Sequence, residues 1–242
     1  MEKLGKLDKL ASLTYPDGQP IVAVQRTKQP RRESFPFRRD VSTLLGRLQD
    51  RLVRDAATIV HVTSARSGEG VSTIARELAH AAATMPWCRP LLIDRNAGGS
   101  DQSKWFGVEL PDLIGSYKSQ GHLSIAAIET GGDSFHAARI SPDVIVDSAS
   151  RDMPGNRASP GDVIRTAYNI VIVDCPPVLD SAYFLLLARK PAEALLVVRS
   201  GHTRLSAAVE ATSRLARVGC EVSGVVLNRW HRRLPRVISR HA

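Results

Sequence analysis

Five short apolar runs, set among stretches of helical pattern, place the strongest limit on what this 242-residue chain can fold into. They cover residues 59–63, 90–94, 170–174, 194–199 and 223–227. Strands that are apolar at nearly every position need cover on both faces. Helical patterns fall between several of them, at 72–84, 181–188 and 204–218. This alternation predicts an α/β fold, a mostly parallel sheet with helices on both faces. Between residues 98 and 160 the pattern is weaker. There 112–120 reads as a helix, 123–128 and 143–146 as strands, and 148–160 as a loop. Aromatic residues make up only 5% of the chain, so the core must be built from Ala, Val, Leu and Ile.

The ends differ from the middle. Leu4, Leu7, Leu10 and Leu13 recur at helical spacing among lysines, the pattern of a short amphipathic helix. Residues 15–40 contain Pro16, Pro20, Pro30 and Pro36 and read as a linker or extended arm. Leu44, Leu45, Leu48 and Leu52 then mark one face of a helix. The expected division is residues 1–40 as segment and linker, 41–233 as the folded domain, and 234–242 as a basic tail. The formal net charge is +9, and the stretch after Asn228 carries Arg229, Arg232, Arg233, Arg236 and Arg240 with no acid. Basic ends favour an anionic partner such as a membrane surface, although a solvated tail accounts for them equally well. Cys88, Cys175 and Cys220 have neither CxxC nor zinc spacing and read as reduced, buried thiols. No apolar run reaches the roughly 18 residues of a membrane span, and the first residues lack a signal-peptide core. The expected location is cytoplasmic, peripheral at the inner membrane through a partner.

Chemistry centres on the segment Ala65, Arg66, Ser67, Gly68, Glu69, Gly70, Val71, Ser72, Thr73. An apolar run precedes it and a helical pattern follows, which is the strand–loop–helix setting of a phosphate-binding loop. In such loops backbone N–H groups wrap phosphate at a helix N-terminus, a lysine reaches the β/γ-phosphates, and a Ser/Thr hydroxyl meets Mg²⁺. The pattern GxxxxGK[ST] is met at Gly70 and Ser72 and missed at Ala65 and Val71, where Val71 takes the lysine's place. About a hundred residues later, four apolar residues end in Asp174, followed by Cys175, Pro176 and Pro177. A carboxylate there stands at the carboxyl end of the sheet, where open α/β folds bind ligands and where it can meet Mg²⁺. The run ending in Asp94 is a second of this kind. His61, within a predicted strand, reads as structural. Asp180 reads as the cap of the helix starting at Ser181.

Together these elements carry a resemblance. The order Ser-x-x-x-Gly-Glu-Gly-x-Ser-Thr, Leu-Leu-Ile-Asp, Ile-Val-Asp-x-Pro-Pro and Gly-Val-Val-Leu-Asn-Arg resembles the bacterial tyrosine kinases (BY-kinases) of capsule and exopolysaccharide assembly, relatives of the Min/Par partition ATPases. The resemblance covers residues 41–233. It implies a P-loop NTPase-like fold, ATP and Mg²⁺ as ligands, and a membrane polysaccharide co-polymerase (chain-length determinant) as partner. It also implies that Arg66 to Thr73 cradle the nucleotide phosphates. Ser72, Asp94 and Asp174 would serve the metal, with Asp94 and Asp174 the chemically active carboxylates.

The departures from that family are specific. Val71 replaces the loop lysine, Asn96 replaces a second acid after Asp94, and Gly98 and Gly99 stand where an arginine is expected. The C-terminal tyrosine cluster is missing, and the last tyrosine is Tyr183. A charge-assisted hydrogen bond is worth roughly 1.5–3 kcal/mol. A lost transition-state stabiliser costs on the order of 10²–10³ in rate. Backbone contacts survive such a change, so weak nucleotide binding is compatible with lost kinase chemistry. Arg66 aligns with an extra loop lysine of the partition ATPases and is a candidate substitute, in its own site or across a dimer. Three functions follow: a BY-kinase-like regulator with weakened chemistry, an active ATP-dependent kinase, or a partition-type ATPase that positions itself on DNA or membrane. The Pro-Pro turn favours the polysaccharide branch and disfavours nucleic acid. Self-association is compatible with all three.

Overall fold

The computed structural model describes residues 22–26, 45–46, 57–95, 101–130, 133–140, 159–182 and 192–229. Among these, eight strands form one sheet: β1 (Val22–Arg26), β2 (Thr58–Ser64), β3 (Pro90–Asp94), β4 (Leu123–Thr130), β5 (Asp133–Arg139), β6 (Ile170–Asp174), β7 (Ala192–Arg199) and β8 (Cys220–Asn228). Their order is β1-β4-β5-β3-β6-β2-β7-β8. Every neighbouring pair is parallel except β4 with β5. Five helices accompany the strands: α1 (Val71–Ala83), α2 (Asp101–Phe106), α3 (Leu113–Gln120), α4 (Pro160–Ala167) and α5 (Leu205–Arg217). The predicted mostly parallel α/β architecture is what the chain adopts.

The apolar runs become the central strands because two hydrophobic clusters enclose them. One joins alternate residues of β2, β6 and β7 (Val60, Val62, Ile172, Leu195 and Val197) to Val71, Ile74 and Leu78 of α1. The other joins the intervening residues to Leu113 and Ile114 of α3, Val163 and Ile164 of α4, and Leu215 of α5. All five residues of β3 and of β6 are buried. Helix α1 is buried from Ile74 to Ala82, and its alanines allow close approach to the strands. Among the described residues no helix is long and apolar enough to cross a membrane.

The structure differs from the sequence reading in three places. Val22–Arg26, within the proline-containing linker stretch, is an edge strand paired in parallel with β4. Its alternating apolar residues bury Val22, so it joins the sheet despite the prolines on either side. Asp133–Arg139 is a strand that returns antiparallel on β4, and α2 also arises in the region that read weakly. Pro160 opens α4 rather than closing a loop, with Ser159 as N-cap through its bond from Asp162 N. Asp112 caps α3 in the same way, accepting from Gly115 N. The 4–13 helix, the 143–146 strand, Asn96, Gly98, Gly99 and the tail beyond Arg229 lie outside the described residues. So does most of the helices expected around Leu44–Leu52 and at 181–188. Leu45 and Gly46 are helical, and Ser181 and Ala182 are not.

Candidate functional site

The loop between β2 and α1 stands at the carboxyl end of the sheet, over its most enclosed strands. Gly68 (φ 80°) and Gly70 (φ 97°) provide the left-handed backbone that turns the chain into α1. Gly70 is the N-cap of α1, and no side chain caps that helix. The first intrahelical bond runs from Ile74 N to Gly70 O, so the N–H groups of Val71, Ser72 and Thr73 precede the helical ladder. An uncapped helix start with no acid in its first turn suits an anion.

Other elements brace this loop. The Glu69 carboxylate is buried and turned onto the loop itself, accepting from Ala65 N at 3.1 Å and Arg66 N at 3.4 Å. Its other oxygen accepts the Thr203 hydroxyl, from the turn between β7 and α5. Asn228, the last residue of β8, donates to Glu69 O at 2.9 Å. A Cβ at Gly70 would collide with the Asn228 amide, so glycine is needed there for close approach as well as for φ. Asp180 takes up the outer side of the loop. It accepts from Arg66 Nη1 at 3.0 Å and Ser67 N at 3.3 Å. Asp180 therefore ties down the loop; most of the helix it was expected to cap lies outside the described residues. Arg66, the candidate substitute for the lysine, forms its ion pair with this carboxylate.

Val71 is 9% exposed and belongs to the apolar cluster around α1. The residue read from the sequence as standing in the lysine's place thus packs into the core.

The metal half of the site is more complete. Asp94 and Asp174 end adjacent parallel strands and stand opposite each other in register, both buried. Ser72, in the first turn of α1, lies beside Asp174, near enough to act on its titration. Burial pushes the Asp174 carboxyl up to about 7, with the charge of Asp94 acting in the same direction; the Gln102 hydrogen bond, the nearby Ser72 and the charge of Arg76 work the other way. Asp174 Oδ1 is buried with no hydrogen-bond partner among the described residues. Among those residues no group of three or more His, Cys, Asp or Glu could hold a metal ion by itself. Mg²⁺ in phosphate-binding sites takes one or two protein ligands and fills its shell with water and phosphate. Ser72 and the open oxygen of Asp174 fit that requirement.

Four further residues position the site. Gln102 on α2 donates to Asp174 Oδ2 at 2.6 Å and to Ser72 O at 3.1 Å, and it accepts from Arg76 Nη1 at 3.1 Å. Arg76 also donates to Thr73 Oγ1 at 3.3 Å and lies 4.2 Å from the Trp105 ring centroid. Asn228 and Thr203 hold the loop from the β8 side. Of these, only Asn228 falls within a motif quoted from the sequence. Ser72, Asp94, Asp174 and the loop glycines come together as expected; the Arg66 and Glu69 side chains are engaged in bracing contacts. His61 is structural, buried beside Cys175 Sγ at 3.6 Å, with burial and then the Arg95 charge bringing its pKa down to about 4.

Three solved structures share this architecture. The kinase domain of Escherichia coli tyrosine kinase ETK has a TM-score of 0.63 at 21% identity, covering 87% of this chain and 84% of its own. The VpsO kinase domain has a TM-score of 0.61 at 24% identity, covering 79% and 94%. The chimerical protein CapA2B2 has a TM-score of 0.57 at 20% identity, covering 94% and 99%. No protein-family model matches the chain, and no curated protein matches it in sequence. The chain therefore shares the fold of the ETK and VpsO kinase domains, the α/β fold that its motifs implied.

Proposed function

We propose that this chain is a BY-kinase-like P-loop protein that regulates exopolysaccharide or capsular polysaccharide synthesis, chain length or export. It acts at the cytosolic face of a membrane co-polymerase, with kinase activity weakened or lost. The observation that carries the reading is the division within the site. The backbone cradle and the Ser72–Asp174 pair are assembled, while Val71 is built into the core. Such a site favours retained, weak binding of ATP and Mg²⁺ over phosphoryl transfer, which depends on positive charge at the γ-phosphate.

When bound, Mg²⁺ would neutralise phosphate charge. Ser72 and Asp174 would hold it, with Asp94 beside them, and the N–H groups at the start of α1 would meet the phosphates. Calorimetric titration with ATP and Mg²⁺ tests the site. Weak or undetectable binding by the wild type and a gain in Val71→Lys are expected. Tight wild-type binding with Mg²⁺-dependent turnover, abolished by Asp174→Ala, would instead establish an active enzyme. The biological role is tested by deleting the gene and measuring polymer length; an unchanged distribution removes the polysaccharide assignment.

A further inference from the structure

We propose that Gln102 is a positioning residue of the cation site, holding one oxygen of Asp174 so that the other faces the ion. This rests on reading Ser72 and Asp174 as a divalent-cation site. Gln102 is fully buried, and its amide is used completely. Both N–H directions are spent, on Asp174 Oδ2 and on Ser72 O, and its oxygen accepts from Arg76. The opposite amide orientation would set an oxygen against the Asp174 carboxylate and an NH₂ against the guanidinium, so the neighbours allow only one.

Arg76 enforces that orientation. Its guanidinium is fixed by Thr73 Oγ1, by Gln102 and by stacking on Trp105. Gln102 thus joins three elements: α2, which carries it; α1, through Arg76 and Ser72; and β6, through Asp174. Of the two Asp174 oxygens, Oδ2 is held and Oδ1 has no partner among the described residues. A carboxylate beside the buried Asp94 would otherwise be free to rotate and present either oxygen. Groups that orient a metal ligand in this way typically contribute roughly 10- to 100-fold to metal affinity.

The test titrates Mn²⁺ into the full chain, with and without ADP, following free Mn²⁺ by electron paramagnetic resonance. Gln102→Met keeps the side-chain length and loses the donor, and it should lower Mn²⁺ affinity by roughly 10- to 100-fold. Arg76→Lys keeps the charge but loses the forked contact to Gln102 and Thr73, and it should lower affinity in the same direction. Because Arg76 acts through Gln102, the double variant should be no weaker than Gln102→Met alone. A pure packing role for Gln102 would lower the melting temperature and leave Mn²⁺ affinity unchanged. That result overturns the proposal and leaves the cation site standing. If Gln102→Met does not fold, unchanged affinity in Arg76→Lys overturns it. A wild type that binds no Mn²⁺ in either condition overturns the cation-site reading and this inference with it.

Discussion

Gly70→Ala should be among the most damaging single-methyl additions in this protein, for two separable reasons. The backbone at Gly70 has φ 97° and ψ 25°, a conformation that L-residues rarely adopt. Holding alanine there costs about 1–3 kcal/mol. The new Cβ would also displace the Asn228 side chain, which is buried and donates to Glu69 O at 2.9 Å. Leaving that amide and carbonyl unpaired costs about 1–3 kcal/mol more. The sum, about 2–6 kcal/mol, is a large part of the roughly 5–15 kcal/mol that stabilises a typical domain. Urea unfolding followed by circular dichroism measures it directly. With a slope of about 2–3 kcal/mol per M, the midpoint should fall by about 1–3 M. Repeating the substitution in an Asn228→Ala background removes the collision and the bond beforehand. The remaining cost should then be the backbone part alone, about 1–3 kcal/mol. A Gly70→Ala protein that unfolds at the wild-type midpoint would refute both the strained turn and the Asn228 brace.

Two further predictions concern charge. Burial holds the folded Asp174 carboxyl at about 7 against an ordinary value of 3.8, so between those pH values the native state holds a proton that the unfolded chain has released. Its contribution to stability is therefore present below about pH 4 and is lost as the pH rises through 7. Asp174→Asn should remove this loss and be more stable than wild type at pH 8, measured by urea unfolding at pH 5 and pH 8; equal pH slopes for the two proteins would contradict it. Arg66 and Asp180 form an exposed pair, with side-chain exposures of 62% and 39%. Arg66→Ala should therefore change stability by less than about 1 kcal/mol. If Arg66 substitutes for the missing lysine, the same variant should weaken nucleotide affinity by roughly 10- to 100-fold, the loss of one charge-assisted bond. Unchanged affinity in calorimetry would remove Arg66 from the site.

What the sequence revealed, and what it hid, follows from how each feature is encoded. The runs ending in Asp94 and Asp174 are apolar at almost every position because both faces are covered, so their limits could be read to the residue. β5 was not legible because Asp133–Arg139 mixes Asp, Ser, His and Arg into its strand, and its buried His136 is accommodated by a tertiary contact with the Tyr168 hydroxyl at 2.9 Å. β1 was obscured by the prolines around it, although Val22 finds a buried place at the sheet edge. The same division holds in the site. Gly70, Ser72 and Asp174 are local signals that work at fixed spacing along strand and helix. Glu69 looked like another phosphate contact, yet its carboxylate reaches Thr203, 134 residues away, a pairing that only the completed sheet brings about. Gln102 lies in a six-residue helix with no motif, and its importance comes from three partners on two other elements. Residues that meet a ligand follow patterns that the chemistry imposes, whereas those that aim them are fixed by tertiary geometry. For that reason the valine at position 71, where the loop motif expects lysine, was visible in the sequence, and the buried placement of Asp174 opposite Asp94 was visible only in the fold.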